Sequence, residues 1–228
     1  MPDIKKFPAY FRSYEWNDKH TLFGYPADAY GEFEWIASLE KRFAWLRRNH
    51  AASRTSSLHL IRELIQWGGS QNGVLQKFDE RLGEVHLYEM IAKVIANIQD
   101  PKAALEAALE IPGMGLTYAS KLLRFLDPEN YGALDSRVRG ALAEHAESTG
   151  VPKIYDGNLN SMVKGYVAFL KYLAHLQKQL AHAAIARPQC NLPAGASAMK
   201  WRAADIEMAL FRWADTISSR PVASAHRL

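Results

Sequence analysis

The chain has 228 residues, of which 48% are hydrophobic and 23% charged, with a formal net charge of +4. This composition is typical of a folded globular protein and excludes an intrinsically disordered chain. The single cysteine, Cys190, excludes an internal disulfide and any iron–sulfur or zinc site built from cysteines. No apolar run reaches the ~20 residues that span a bilayer, and the polar start does not resemble a signal peptide. We therefore expect a cytoplasmic protein with no membrane partner.

Hydrophobic residues recur at steps of three and four in four stretches, and this period predicts helices. The first two stretches comprise Ile36, Leu39, Phe43 and Leu46, and Leu87, Ile91, Val94 and Ile98. The later two comprise Met162, Tyr166, Phe169, Leu173, Leu176 and Leu180, and Ile206, Leu210, Trp213 and Ile217. Segments rich in glycine or proline lie at 24–31, 68–73, 127–132 and 187–197. Because no segment alternates as a strand does, we predict an all-α protein of roughly eight to ten helices.

Basic residues are concentrated in two stretches of the chain. Residues 41–62 contain six Lys or Arg and no acidic residue, and residues 151–202 contain seven with Asp156 as the single acidic residue. Two basic stretches suit a protein that holds a phosphate backbone from two sides. A solvated charged surface explains the same pattern equally well.

A tight turn lies within residues 103–142, between two helical segments. Ile111–Gly115 (IPGMG) follows an alanine-rich helix that ends at Glu110 and precedes an amphipathic helix that begins at Leu116. The proline fixes one backbone angle and the two glycines permit a tight turn, so successive N–H groups are accessible at the start of the second helix. Such a turn binds a phosphate, although a simple corner between two helices uses the same residues.

About twenty residues farther on, Asp135 begins another helix within the sequence YGALDSRV. The helix dipole and the free N–H groups of a helix N-terminus favour the ionised carboxylate. An ionised carboxylate stabilises the oxocarbenium-like charge that develops when a glycosidic bond breaks, and it also orients an attacking water. The alternative is that Asp135 only caps the helix, which is worth about 1 kcal/mol.

Together the two segments resemble the helix-hairpin-helix DNA glycosylase superfamily. Its members carry a hairpin of the form L-P-G-V-G followed by alanine, and a V-D-[TS]-x-V segment with the catalytic aspartate. Here IPGMGLTYA and ALDSRV match these patterns at the family's separation, and WGGSQNG is similar to the 8-oxoguanine-glycosylase-like branch. The resemblance implies two helical lobes with a DNA cleft between them. One lobe comprises 1–35 and 131–228, and the other comprises 36–130 and ends in the hairpin.

The resemblance also implies a DNA glycosylase. Its branch suggests an oxidised purine and DNA repair, whereas a compact enzyme without a lyase lysine would equally suit modified bases of foreign DNA and phage defence. Such an enzyme flips an oxidised purine, or a bulky modified base of foreign DNA, out of double-stranded DNA and hydrolyses the N-glycosidic bond with Asp135. Relatives with lyase activity carry a lysine two residues after the second hairpin glycine, where this chain has Thr117. We therefore predict a monofunctional enzyme. We also expect a monomer without a cofactor, and no metal, because the histidines lack the spacing of metal ligands. Lys121 lies one helical turn farther along the same face. It is the alternative nucleophile if its side chain reaches the sugar, and otherwise it contacts phosphate or solvent.

The resemblance assigns the other site residues to three groups. The expected contacts to the DNA backbone are Pro112, Gly113, Met114, Gly115, Arg124 and Arg137. The residues expected to fill the gap left by the flipped base are Gln71 and Asn72. The residues expected to line the base pocket are Glu63, Trp67, Trp201, Asp205 and Phe211. Ordinary roles compete with these assignments, namely a solvent-exposed loop, core packing, and a salt bridge from Glu63 to Arg62 or Arg54.

Two other classes of function remain open. The first is a non-catalytic helix-hairpin-helix module that binds DNA and uses Asp135 as a cap. The second is a helical interaction protein without a nucleic-acid partner, which would lack a shared basic surface around the hairpin. Catalysis requires Asp135 to lie in a cleft, near Thr117 and an aromatic-lined cavity, rather than on an open surface.

Overall fold

The structure is a computed structural model, and it describes residues 1–14, 33–49, 54–81, 86–190, 192 and 200–218. Within these ranges the chain forms helices and no β-strand, which confirms the predicted all-α class. No helix in the described ranges has both the length and the apolar character needed to cross a membrane.

The described part of the chain contains eleven α-helices. The first six are α1 (Phe7–Arg12), α2 (Glu34–Asn49), α3 (Arg54–Trp67), α4 (Val74–Arg81), α5 (Leu87–Ala96) and α6 (Pro101–Leu109). The others are α7 (Leu116–Leu126), α8 (Ser136–Ala143), α9 (Ala146–Thr149), α10 (Leu159–His182) and α11 (Ala203–Ser218). Two short 3-10 helices lie at Ile4–Lys6 and Gln71–Gly73. The count exceeds the prediction because α1 and α9 are too short to show a hydrophobic period.

Short polar side chains begin several of these helices. Asp100 accepts hydrogen bonds from the N–H groups of Lys102 and Ala103 at the start of α6, where a proline occupies the first position. Asn158 accepts a hydrogen bond from the Ser161 N–H at the start of α10. Each cap satisfies a backbone donor that has no partner within the helix, so these helix starts follow from local sequence.

The main helix contacts fall into two groups. Helices α2 to α7 contact one another, and α1, α8, α9, α10 and α11 form the second group. Helix α10 also contacts α6, and the buried apolar side chains of both groups form one continuous core. Because the core is continuous, the division into separate lobes stays a prediction.

Candidate active site

A cleft of about 440 Å³ lies where the two groups of helices meet. On one side it is lined, among others, by Asn72, Gly115, Thr117, Tyr118 and Lys121. On the other side it is lined, among others, by Asp135, Arg137, Arg139 and Asp156. The fold therefore brings together all three predicted catalytic residues, which are Asp135, Thr117 and Lys121.

The predicted hairpin forms a tight turn whose two glycines have different environments. Gly113 has a positive φ of 77°, and a Cβ there would lie 3.0 Å from the carbonyl oxygen of Val74, so the turn packs closely against the start of α4. Gly115 is exposed at the start of α7, with no neighbouring atom within 4 Å of a Cβ position. Pro112 and Met114 are buried beside them. Only Gly115 of these four residues lines the cleft.

The loop between α7 and α8 is held in place by buried hydrogen bonds. Tyr166 donates its hydroxyl hydrogen to the carbonyl oxygen of Gly132 at 3.0 Å, and the Leu134 N–H donates to the Ser120 hydroxyl at 2.9 Å. A Cβ on Gly132 would lie 2.7 Å from Cδ1 of Leu173, so glycine is required for this close packing. The loop delivers the next residue, Asp135, to the cleft in a fixed position.

Asp135 caps a helix and also lines the cleft. It is half-buried, and its Oδ1 accepts a hydrogen bond from the Val138 N–H at 2.8 Å, which caps α8. From the described part of the chain, Oδ2 receives no hydrogen bond. The residue lines the cleft, so one oxygen serves the helix and the second is left for a ligand.

Lys121 is buried beside this carboxylate, with 5% of its surface exposed. Its Nζ lies 5.0 Å from the centre of the Trp67 ring and 3.4 Å from the carbonyl oxygen of Gly68, at the end of α3. Burial lowers the pKa of Lys121 to about 8, although the negative charges of Asp135 and Glu207 act in the opposite direction. At pH 7 about a tenth of such an amine is neutral, far more than for a solvated lysine.

Glu207 on α11 lies behind the cleft and was not predicted from the sequence. It is buried, and the Ala133 N–H donates a hydrogen bond to its carboxylate. Burial raises the pKa of Glu207 to about 8, against the lowering effect of Arg124. The available sequence signal was its helical face, which Glu207 shares with Phe211 and Ala214 at steps of four and seven.

Arg137 lies at the rim of the cleft, as predicted for a contact to DNA. Its guanidinium lies 4.5 Å from the centre of the Phe211 ring and pairs with Asp215, and 40% of its side chain is exposed. Phe211 is itself buried and does not line the cleft among the described residues. Phe211 therefore packs against the guanidinium of Arg137 and does not form a base pocket.

Two further residues of the cleft were missed by sequence reasoning. Tyr118 contributes the aromatic surface of the cleft, and its hydroxyl lies 3.4 Å from the carbonyl oxygen of Gly68. Arg139 is a second cation on the opposite wall, where it pairs with Asp156 at 2.5 Å. Both flank predicted residues by one or two positions.

One of the two residues predicted to fill the gap left by a flipped base lies at the cleft. Asn72 lies in the 3-10 helix Gln71–Gly73, has a positive φ of 58°, is exposed and lines the cleft. The side chain of Gln71 lies outside the described part of the chain. Asn72 is therefore accessible at the cleft, and its role in filling the gap left by a flipped base stays a prediction.

Two residues predicted to contact DNA lie instead in a buried ion cluster. Arg124 has no exposed surface and lies 2.9 Å from Glu40 of α2. Asp205, also fully buried, pairs with Arg187 at 2.8 Å and with Arg202 at 2.7 Å. Buried charges need partners because they have lost their hydration. Arg124 links α7 to α2, and Asp205 links the start of α11 to Arg187. Both are fully buried and have no surface that could contact DNA or a base.

Three other residues of the predicted base pocket also do not line the cleft. Glu63 pairs with Arg42, rather than with the neighbours considered from the sequence. Trp67 has 2% of its surface exposed and packs edge-on against Phe125, with 4.9 Å between ring centres. Trp201 has 3% of its surface exposed and lies in the core. A pocket for a flipped base needs accessible surface, which these two tryptophans lack.

No family model, curated protein or solved structure matches the chain. Among the described residues, no three His, Cys, Asp or Glu side chains are arranged to hold a metal ion. The charged groups that line the cleft are two carboxylates, a buried amine and two guanidinium groups.

Proposed function

We propose that the chain is a DNA glycosylase that releases a modified base from double-stranded DNA. One observation carries the proposal: a single cleft contains the uncapped oxygen of Asp135, the hairpin end at Gly115 and the amine of Lys121. The motif resemblance predicted this juxtaposition, and a non-catalytic module has no need for it.

The DNA backbone would bind at the rim of the cleft. The start of α7 at Gly115 offers backbone N–H groups and the positive end of a helix dipole, which together favour a phosphate. Arg137 and Arg139 on the facing wall add donors that suit phosphate oxygens. Phosphate bound between these walls would place the sugar of a flipped nucleotide beside Asp135.

In the proposed reaction, Asp135 acts on the sugar. As the bond from C1′ to the base lengthens, positive charge develops on the sugar ring, and the ionised carboxylate stabilises it. The free Oδ2 is also able to orient the water that adds to C1′, with the leaving base taking up a proton. The product is an intact abasic site.

The burial of Lys121 favours a second candidate chemistry at the same site. A lysine amine whose pKa burial lowers to about 8 is a better nucleophile than a solvated one. In this version the amine forms a bond to C1′ as the base leaves, and opening of the sugar ring gives an imine. The Lys121 version predicts lyase activity, whereas the Thr117 position predicts hydrolysis alone.

Base release measured by mass spectrometry tests the proposal. DNAs that contain oxidised, alkylated or bulky phage-type bases are incubated with the wild type, with Asp135→Asn and with Asp156→Asn. Asp156 is a matched control, because it lines the same cleft but is paired with Arg139 and mostly exposed. We expect base release that Asp135→Asn lowers about 10² to 10³-fold and that Asp156→Asn preserves. Duplex binding without release of any base would instead support the non-catalytic module.

Borohydride reduction separates the two chemistries, because it converts an imine into a stable covalent adduct. Lys121→Met removes the amine but keeps most of the side-chain volume in a buried site. An adduct in the wild type that Lys121→Met abolishes would assign Lys121 as the nucleophile. Abasic sites without any adduct would assign water.

A further inference from the structure

One exposed face of α10 carries positive charge along its length. Lys164, Lys171 and Lys178 are spaced by seven residues, and His175 and His182 lie on the same face. All five are exposed. Helix α10 contains no acidic residue, so no side chain of the helix itself neutralises these lysines.

A groove of about 790 Å³ runs beside this face. Lys164 and Lys171 line it, and Lys102 at the start of α6 adds a third ammonium group from a different helix. Its apolar lining includes Val163 and Val167. No carboxylate appears among the described residues that line the groove, which makes it a basic groove with an apolar floor.

The lysines of this basic groove are not held in ion pairs. Lys102, Lys164 and Lys171 have no carboxylate within 4 Å among the described residues, whereas the exposed Lys93 pairs with Glu110 at 2.7 Å. Positive charges gathered in a concave surface concentrate the electrostatic potential there. The groove therefore attracts a polyanion.

We propose that the basic groove binds the phosphodiester backbone of nucleic acid, at a site separate from the cleft. The groove and the cleft have no lining residue in common. Lys164 and Lys178 are separated by about 21 Å along the helix axis, which is the rise of about six base pairs, so a linear row of charges faces a linear row of phosphates. The choice of nucleic acid over another polyanion rests on the proposed function. The groove would hold DNA outside the segment that the cleft binds.

Salt dependence of DNA binding tests this site. Affinity for an unmodified duplex of about 30 base pairs is measured across a salt series, and the slope of log K against log salt counts the phosphate contacts. For Lys164→Ala/Lys171→Ala, we expect the slope to become shallower by about 1.8, since each lost phosphate contact removes about 0.9. The control is Lys5→Ala/Lys6→Ala, which removes two exposed lysines that do not line the groove, and it is expected to keep the wild-type slope.

Three outcomes would overturn the site. They are an unchanged slope in Lys164→Ala/Lys171→Ala, an equal change in both double variants, and competition by polyglutamate as effective as that by DNA of equal charge. A base-release assay distinguishes failure of this proposal from failure of the glycosylase proposal. Lys164→Ala/Lys171→Ala is expected to keep base release from a short duplex that fills only the cleft. Conversely, the salt slope could become shallower in Lys164→Ala/Lys171→Ala while the wild type releases no base. That result would support the groove proposal and contradict the glycosylase proposal.

Discussion

The two buried ionisable groups at the cleft predict a minimum in stability near pH 8. Burial raises the pKa of Glu207 from 4.5 to about 8 and lowers that of Lys121 from 10.5 to about 8. Both groups therefore titrate in the folded protein at pH values where the unfolded chain does not. The free energy of unfolding depends on pH wherever the two states bind different numbers of protons.

The two groups act in successive pH windows. Between pH 4.5 and about 8, the folded protein keeps a proton on Glu207 that the unfolded chain has lost, so stability falls as the pH rises. Between about pH 8 and 10.5, the unfolded chain keeps a proton on Lys121 that the folded protein has lost, so stability rises with pH. Each group changes the free energy of unfolding by about 1.4 kcal/mol for each pH unit of its window.

Urea unfolding of the wild type, Glu207→Gln and Lys121→Met from pH 5 to pH 10 measures both effects. Glutamine retains an oxygen for the Ala133 N–H, and we expect Glu207→Gln to flatten the curve below pH 8. Lys121→Met is expected to flatten it above pH 8. If the difference in stability between each variant and the wild type is constant across its window, the two groups do not titrate as argued.

Four further predictions concern the loop and the hairpin. Asp135→Asn is expected to lower base release about 10² to 10³-fold in single-turnover assays, and Asp135→Ala to lose in addition about 1 kcal/mol of stability with the α8 cap. Gly115→Ala is expected to unfold like the wild type but to bind all duplexes more weakly, because phosphate contacts carry little sequence information. Gly113→Ala is expected to destabilise the fold by about 1–2 kcal/mol in urea unfolding, because its φ is positive. Gly132→Ala is expected to lower the free energy of unfolding by about 1–3 kcal/mol through overpacking against Leu173, and a wild-type melting temperature would contradict this.

The sequence by itself determined the features that depend on near neighbours in the chain. The helical periods predicted the all-α class, and the glycines and proline predicted the turn that ends at Gly115. Asp135 was recognisable at the start of a helix because a cap bonds to an N–H only three residues away. The approach of Lys121 to the same cleft also followed, because residues four apart share a helical face.

Only the tertiary structure decided which charged and aromatic residues are buried. Arg124 and Arg137 are equally basic in the sequence, yet Arg124 pairs with Glu40 in the core while Arg137 lies at the rim of the cleft. In the sequence, Glu207 is an ordinary charged residue of an amphipathic helix. In the structure it is buried, and the loop before Asp135 packs against it. Burial depends on residues that are distant in the chain but adjacent in space, so a local sequence pattern does not predict it.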